Sequence, residues 1–311
     1  MRLTVFVEPQ FGASFDDQLR IARQAQACGY DGFFRSDHFL TMGGDGRPGP
    51  TDSWVTLAGL AGQTEGIRLG TMVTSATFRL PGPLAIAVAQ VDAMSGGRVD
   101  FGIGAGWFEA EHRAYGVPFP SIVERFDRLA EQLEIITGLW ATPEGQRFSY
   151  RGAHYDVEDS PALPKPVQRP GPPVIVGGAG PRRTPSLAAR FADEYNVPFR
   201  ALGPTRRCYE RVVQACANEG RDVAGRAPLV YSAAQVVCCG RDDAELRRRA
   251  ERIGAPVDAL REAGLAGSPA EIVDKIGQFA AAGATRLHLQ FLDMADLDHV
   301  ELIAAEVAPQ L

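Results

Sequence analysis

The feature that most constrains this chain is a beat. Eight short apolar, β-rich runs are each followed by a segment of helical periodicity. The runs cover residues 3–7, 31–37, 67–75, 98–105, 172–178, 193–199, 229–237 and 285–291. Between them, apolar residues recur at helical spacing, and a last helix reaches about residue 307. Ser14/Asp17, Ser121/Glu124 and Ser268/Glu271 mark helix starts as capping boxes. Short strands alternating with helices predict a parallel sheet covered on both faces. Eight such units with no shift in composition predict an α/β fold, a closed (β/α)8 TIM barrel over 1–311, in preference to a doubly wound open sheet. One stretch interrupts the beat. Residues 141–172, rich in Pro and Gly, are long for an internal loop and are expected to form an insertion over the barrel mouth.

Charge and apolar content exclude several classes of function. The formal net charge is −6, which argues against a nucleic-acid partner, since phosphate backbones call for clustered Lys and Arg. No apolar run approaches the ~20 residues of a membrane helix. The N-terminal run stops at Glu8 and Pro9, too short for a signal-peptide core, so a cytoplasmic protein is expected. The five cysteines are odd in number and contain no CxxC, which fits reduced thiols and no metal site.

A barrel gathers its chemistry at the C-terminal ends of its strands. The first run ends at Glu8, and the second runs into Asp37 and His38. His38 is the candidate acid or base, with Asp37 orienting its ring. The alternative is Asp37 as a helix cap beside a surface His38. The fourth run passes Gly104, Ala105 and Gly106 into Trp107, Glu109 and His112. Its glycines do not make a dinucleotide fingerprint, because Pro118 and Pro120 separate them from the helix that starts near Ser121. They read instead as a strand end that passes close to a flat ligand. Trp107 either packs on a ring system or plugs the mouth, and Glu109 and His112 are rim candidates. The fifth run ends in Gly177, Gly178, Ala179 and Gly180, with Arg182 and Arg183 opening the next helix. That pattern suits an anion at a helix N-terminus, or else a glycine-rich turn beside a solvated Arg pair.

The stretches "FFRSDHF", "RLGTMVTSATF", "RVDFGIGAGWFEAEH" and "VIVGGAGPRR" together resemble the bacterial-luciferase-like superfamily, most closely its deazaflavin-dependent branch. The resemblance implies a barrel mouth that holds coenzyme F(420), and hydride transfer between that cofactor and an organic substrate. It implies that a bulge at Met72, Val73 and Thr74 backs the ring, with a non-proline cis peptide near Met72–Val73. Asp37 and His38 match the acid/base position of the group. Gly104 to Gly106 match the segment along the ring edge, and Gly177 to Gly180 the turn that receives the cofactor phosphate. Related barrels usually pair as homodimers. The same resemblance leaves open an FMN-dependent monooxygenase fed by a separate reductase, and a flavin-binding protein without turnover. A phosphate-binding isomerase barrel with no redox cofactor is a further alternative. This chain departs from the sugar-phosphate dehydrogenases of the branch at two points. "HFLTM" lacks their Trp, and Trp107 stands where they place a Glu.

Overall fold

The computed structural model describes residues 1–221 and 225–311. Eight strands follow in chain order: β1 Arg2–Val7, β2 Gly32–Arg35, β3 Arg68–Thr71, β4 Val99–Gly104, β5 Val174–Gly177, β6 Glu194–Pro198, β7 Val230–Cys239 and β8 Arg286–Gln290. Each pairs in parallel with the next. β8 returns to β1, with His288 opposite Thr4, and so the ring closes. The expected barrel is therefore formed, with each strand overlapping its predicted run; β1 begins one residue earlier and β7 ends two residues later. The β3 run resumes as Thr74–Ser75, which pairs with β4. Leu265–Gly267 adds a short strand to the C-terminal end of β7, outside the ring.

Strand alternation divides the side chains between two compartments. Val5, Phe33, Leu69, Phe101, Val176, Val197 and Leu289 pack in the main core with the helix faces. The lumen holds a different population. In β8 all five residues are buried, yet Arg286, His288 and Gln290 alternate with Leu287 and Leu289. The Arg286 guanidinium bonds Asp100 at 3.0 Å and Glu194 at 2.9 Å, and pairs with Asp31 at 2.8 Å. It lies 4.9 Å from the centre of the Phe34 ring. Glu194 also meets His288 Nε2 at 2.8 Å, and His288 Nδ1 lies 2.8 Å from the Thr4 hydroxyl. Burial alone would raise the Glu194 pKa, but the His288 hydrogen bond and the Arg286 charge bring it down to about 2. Phe6, Phe34, Met72, Ile175 and Ala234 form a second, apolar cluster in the lumen, with Val73 packed against it.

The excursion at 141–172 carries a hairpin of its own. Its antiparallel hairpin, Phe148–Arg151 with Asp156–Ser160, lies against the helix Ile122–Ala141. Glu131 on that helix accepts the backbone N–H groups of Ala153 at 2.8 Å and Tyr155 at 3.0 Å. Gly138 admits the Phe148 ring, which would stand 2.4 Å from any Cβ added there. Farther on, Gln168 donates to Asp92 and to the Val99 carbonyl, both at 2.7 Å. Val99 opens β4, so this contact lies at the end of the barrel opposite the mouth. The polar backbone of the excursion finds partners along the outer wall and at that far end.

Among the described residues, no helix is long and apolar enough to cross a membrane, and no group of His, Cys, Asp and Glu could hold a metal ion.

Candidate active site

β2 runs straight into Ser36, Asp37 and His38 at the mouth. The Asp37 side chain is fully buried and ion-paired with Arg79. Arg79 also bonds Asp52 at 2.5 Å. Asp52 in turn caps the helix Ser53–Ala61, accepting from Trp54 N at 2.9 Å and Val55 N at 3.0 Å. This chain of charges ties the loops after β2 and β3 to a helix start. It also corrects one expectation: the Asp37 carboxylate is committed to Arg79 and does not orient His38.

That task falls to Glu111, which the sequence reading did not single out. His38 Nδ1 lies 2.9 and 3.1 Å from its two oxygens, and the N–H of Phe39 donates to one of them at 3.0 Å. Glu111 is 2% exposed, on the short helix Glu109–Ala114 that turns it inward and leaves Glu109 outside. One carboxylate thus grips both a ring and the adjacent backbone, and it fixes the ring with Nδ1–H as donor and Nε2 free for chemistry. Burial alone would lower the His38 pKa. The hydrogen bond and charge of Glu111, with the charges of Glu8 and Asp37, outweigh it and hold the imidazole above its ordinary 6.5. Glu8, at the tip of β1, shifts in the neutral direction. Burial raises its pKa more than the His38 charge and the Gln10 hydrogen bond lower it. A carboxyl that leans neutral beside an imidazole that leans protonated is a pair suited to proton traffic.

His112 is not a rim group. It is fully buried, its Nδ1 donates to the Phe108 carbonyl at 2.7 Å, and its Nε2 accepts from the Thr77 hydroxyl at 2.6 Å. With both nitrogens satisfied, it acts as a strut between the loops after β3 and β4. Glu109 is exposed, and its charge acts on Arg125. Trp107 stays on the rim. It is 63% exposed, stacks on Phe108 with centroids 5.2 Å apart, and meets the His38 ring edge-on at 5.7 Å.

The Met72–Val73 bond is cis, where the resemblance put it. Around it, Trp54 Nε1 donates to the Thr74 hydroxyl at 3.0 Å, and the Thr71 hydroxyl donates to the Gly102 carbonyl at 2.8 Å. Val73, half-buried, fills the space that side chains on the next two strands would need. A Cβ on Gly104 or Gly177 would stand 3.0 Å from a Val73 methyl, and one on Gly102 only 2.0 Å from the Thr71 carbonyl oxygen. The alternating glycines of β4 are therefore required by the β3 bulge itself. Gly102→Ala is expected to force β3 and β4 apart, at about 1–3 kcal/mol of overpacking. A thermal melt checks this, and a melting temperature equal to the parent's would refute the close approach.

At the fifth strand tip, Gly178 has φ 143°, donates to the Asn196 carbonyl at 3.0 Å and accepts from the Tyr195 hydroxyl at 2.8 Å. The helix Arg183–Phe191 follows. Arg183 pairs with Asp127 at 2.6 Å, so its place in the first turn needs no bound anion to explain it. Arg182 is exposed. The structure thus brings Glu8, His38, Val73, Gly104 to Trp107 and Gly177 to Gly180 to the same mouth. Besides Glu111, the sequence reading missed Arg79. Its position in "TFRLPG", at a strand end facing the Asp37 loop, was the available signal.

Residues 1–258 match the family described as luciferase-like monooxygenase. The chain is 34% identical over 219 residues to the F(420)-dependent glucose-6-phosphate dehydrogenase of Microbacterium testaceum, covering 70% of this chain and 61% of that protein. It therefore spans about three fifths of that relative's length. Over 121 residues it is 36% identical to the FMNH(2)-dependent dimethylsulfone monooxygenase of Pseudomonas putida, covering 37% of this chain and 32% of that one. In fold it resembles an F(420)-dependent secondary alcohol dehydrogenase in complex with an F(420)-acetone adduct. The TM-score is 0.82 at 19% identity, over 99% of this chain and 98% of that one.

Proposed function

The chain belongs to the luciferase-like monooxygenase family, and we propose that it is an oxidoreductase that moves hydride between coenzyme F(420) and a small organic substrate. The observation that carries this reading is the Val73 shelf. It is an apolar, half-buried surface set on the lumen cluster, at the same mouth as the His38–Glu111 clamp. A flat heterocycle fits such a shelf. Met72, Val73 and Thr74 would back its ring, Gly104 to Gly106 would run along its edge, and the turn Gly177 to Gly180 would take its phosphate. The F(420) dependence named for the Microbacterium relative supports the choice of cofactor. When bound, the deazaflavin supplies the hydride chemistry. The chain supplies orientation and the proton, which His38 holds at Nε2 while Glu111 keeps the ring in place. We place the protein in the cytoplasm as a homodimer, with no nucleic-acid or metal partner.

The match to an FMNH(2)-dependent monooxygenase favours a second reading, in which FMN reduced by a separate reductase reacts with oxygen at the same shelf. Titration of the purified chain with each cofactor, followed by fluorescence quenching, separates the two. F(420) is expected to bind at least about tenfold more tightly than FMN, a difference of roughly 1.4 kcal/mol. The reverse order would transfer the assignment to the monooxygenase, and binding of neither would remove both.

A further inference from the structure

We propose that the substrate is an uncharged, ring-bearing ketone or its alcohol, and not a phosphorylated sugar. This rests on the hydride-transfer reading above and names the substrate class of the same site.

The first observation is where aromatic surface is left open. Among the described residues, the exposed aromatic side chains are Phe11, Trp107, Tyr115 and Phe199, at 38, 63, 52 and 42%. All four follow the C-terminal end of a strand: Phe11 after β1, Trp107 and Tyr115 after β4, and Phe199 after β6. The exposed apolar residues on the outer helices, such as Val55, Ile86 and Val213, are aliphatic or Met. Exposed aromatic area confined to one mouth marks a ligand surface.

The second observation concerns two of these rings. Phe199 sits at φ 46°, a left-handed conformation that a bulky residue rarely adopts. Its N–H is held by the Ala234 carbonyl at 2.9 Å, and its ring stacks on Phe6 at 6.2 Å. Phe6 belongs to the cluster that supports Val73. Phe199 thus extends the apolar shelf upward into the open mouth. Trp107 stands edge-on to His38, an apolar wall beside the proton-handling nitrogen.

The third observation is charge. The acidic groups acting on His38 are Glu111, Asp37 and Glu8, of which Glu8 leans neutral. The nearby arginine, Arg79, is engaged by Asp37 and Asp52. With Arg79 held by Asp37 and Asp52 and His38 held by Glu111, a phosphate dianion finds no uncommitted cation among these groups, whereas a neutral ketone needs none and gains aromatic contact.

In the reducing direction, the carbonyl carbon receives hydride from the reduced deazaflavin, two electrons with one proton. The carbonyl oxygen receives a second proton from His38 Nε2. The products are the alcohol and the oxidised deazaflavin, and alcohol oxidation is the reverse.

Acetophenone and glucose 6-phosphate are the probes. Binding of each is measured by calorimetry, to the chain alone and to the chain loaded with oxidised F(420), for the parent, Trp107→Glu and Phe199→Asn. Asn tolerates the left-handed backbone, and circular dichroism confirms that each variant is folded. Acetophenone is expected to bind the parent at least tenfold more tightly than glucose 6-phosphate. Each variant is expected to lose at least fivefold in acetophenone affinity, with F(420) affinity unchanged in Trp107→Glu. Tighter binding of glucose 6-phosphate, or acetophenone affinity indifferent to both substitutions, would overturn the proposal. If F(420) fails to bind while acetophenone binds in a Trp107-dependent way, the cofactor reading fails and the aromatic pocket stands.

Discussion

His38→Asn is expected to cut turnover by about 10²–10⁴-fold, the usual worth of a positioned acid or base, while F(420) affinity changes by no more than about threefold, well under 1.4 kcal/mol. The separation follows from the geometry. The shelf that would hold the ring is built from Val73 and the glycines of β4 and β5, none of which depends on His38. The imidazole enters only where a proton moves. Glu111→Gln tests the other half of the assignment. The amide keeps a hydrogen-bonding partner near Nδ1 but removes the charge that offsets burial, so the His38 pKa falls. In the reducing direction the protonated ring is the active form, and activity is lost as pH rises through its pKa. That limb of the pH–rate profile therefore moves to lower pH in Glu111→Gln. In the oxidising direction the neutral ring is active, and the rising limb moves the same way. Stopped-flow turnover across pH 5–9, with cofactor titration alongside, reads both effects. Equal losses of turnover and cofactor affinity in His38→Asn would make His38 a binding residue. A limb that stays put in Glu111→Gln would show that the carboxylate does not set the charge of the ring.

The sequence carried the barrel because periodicity is a local property. Each β-rich run and each capping box reports on its own neighbourhood, and eight repeats leave few ways to close. The site was half legible for a related reason. His38 and Gly177 to Gly180 lie at strand ends, which the beat locates directly. Partner choice is not local. Asp37 is adjacent to His38 in the chain, yet its carboxylate turns away to Arg79, forty-two positions on, while Glu111, seventy-three positions on, takes the ring. Adjacent residues on a strand end point to opposite sides, so chain proximity favoured the wrong acid. The glycines of β4 have a second cause that their pattern alone does not show: a Cβ on Gly104 would meet a Val73 methyl, and one on Gly102 the Thr71 carbonyl oxygen. The 141–172 excursion was visible as an interruption, and its docking was not. That depended on Glu131 and Gly138 of the preceding helix, which meet residues 153–155 and Phe148 only once the chain has folded.

Arg286→Met is expected to destabilise the fold by about 3–5 kcal/mol near neutral pH, the cost of removing one partner from a buried ion cluster. "TRLHLQF" contained the warning, since Arg, His and Gln alternate along a strand that the barrel buries on both faces. In the parent one guanidinium answers Asp31, Asp100 and Glu194 at once. Methionine fills much of its volume and leaves those carboxylates facing one another without a cation. The pH dependence distinguishes this cause from a simple packing defect. Glu194 is held at about 2, below its ordinary 4.5. Its contribution is present above pH 4.5 and is lost as pH falls toward 2. In Arg286→Met one of the groups that depress Glu194 is gone, so its carboxyl takes up a proton at higher pH and relieves the repulsion. The stability gap between parent and variant should therefore narrow as the pH is lowered from 7 toward 4. Urea unfolding at both values measures it. A gap of the same size at each pH would assign the loss to packing alone. A variant as stable as its parent at pH 7 would mean that the polar lumen does not depend on its central arginine.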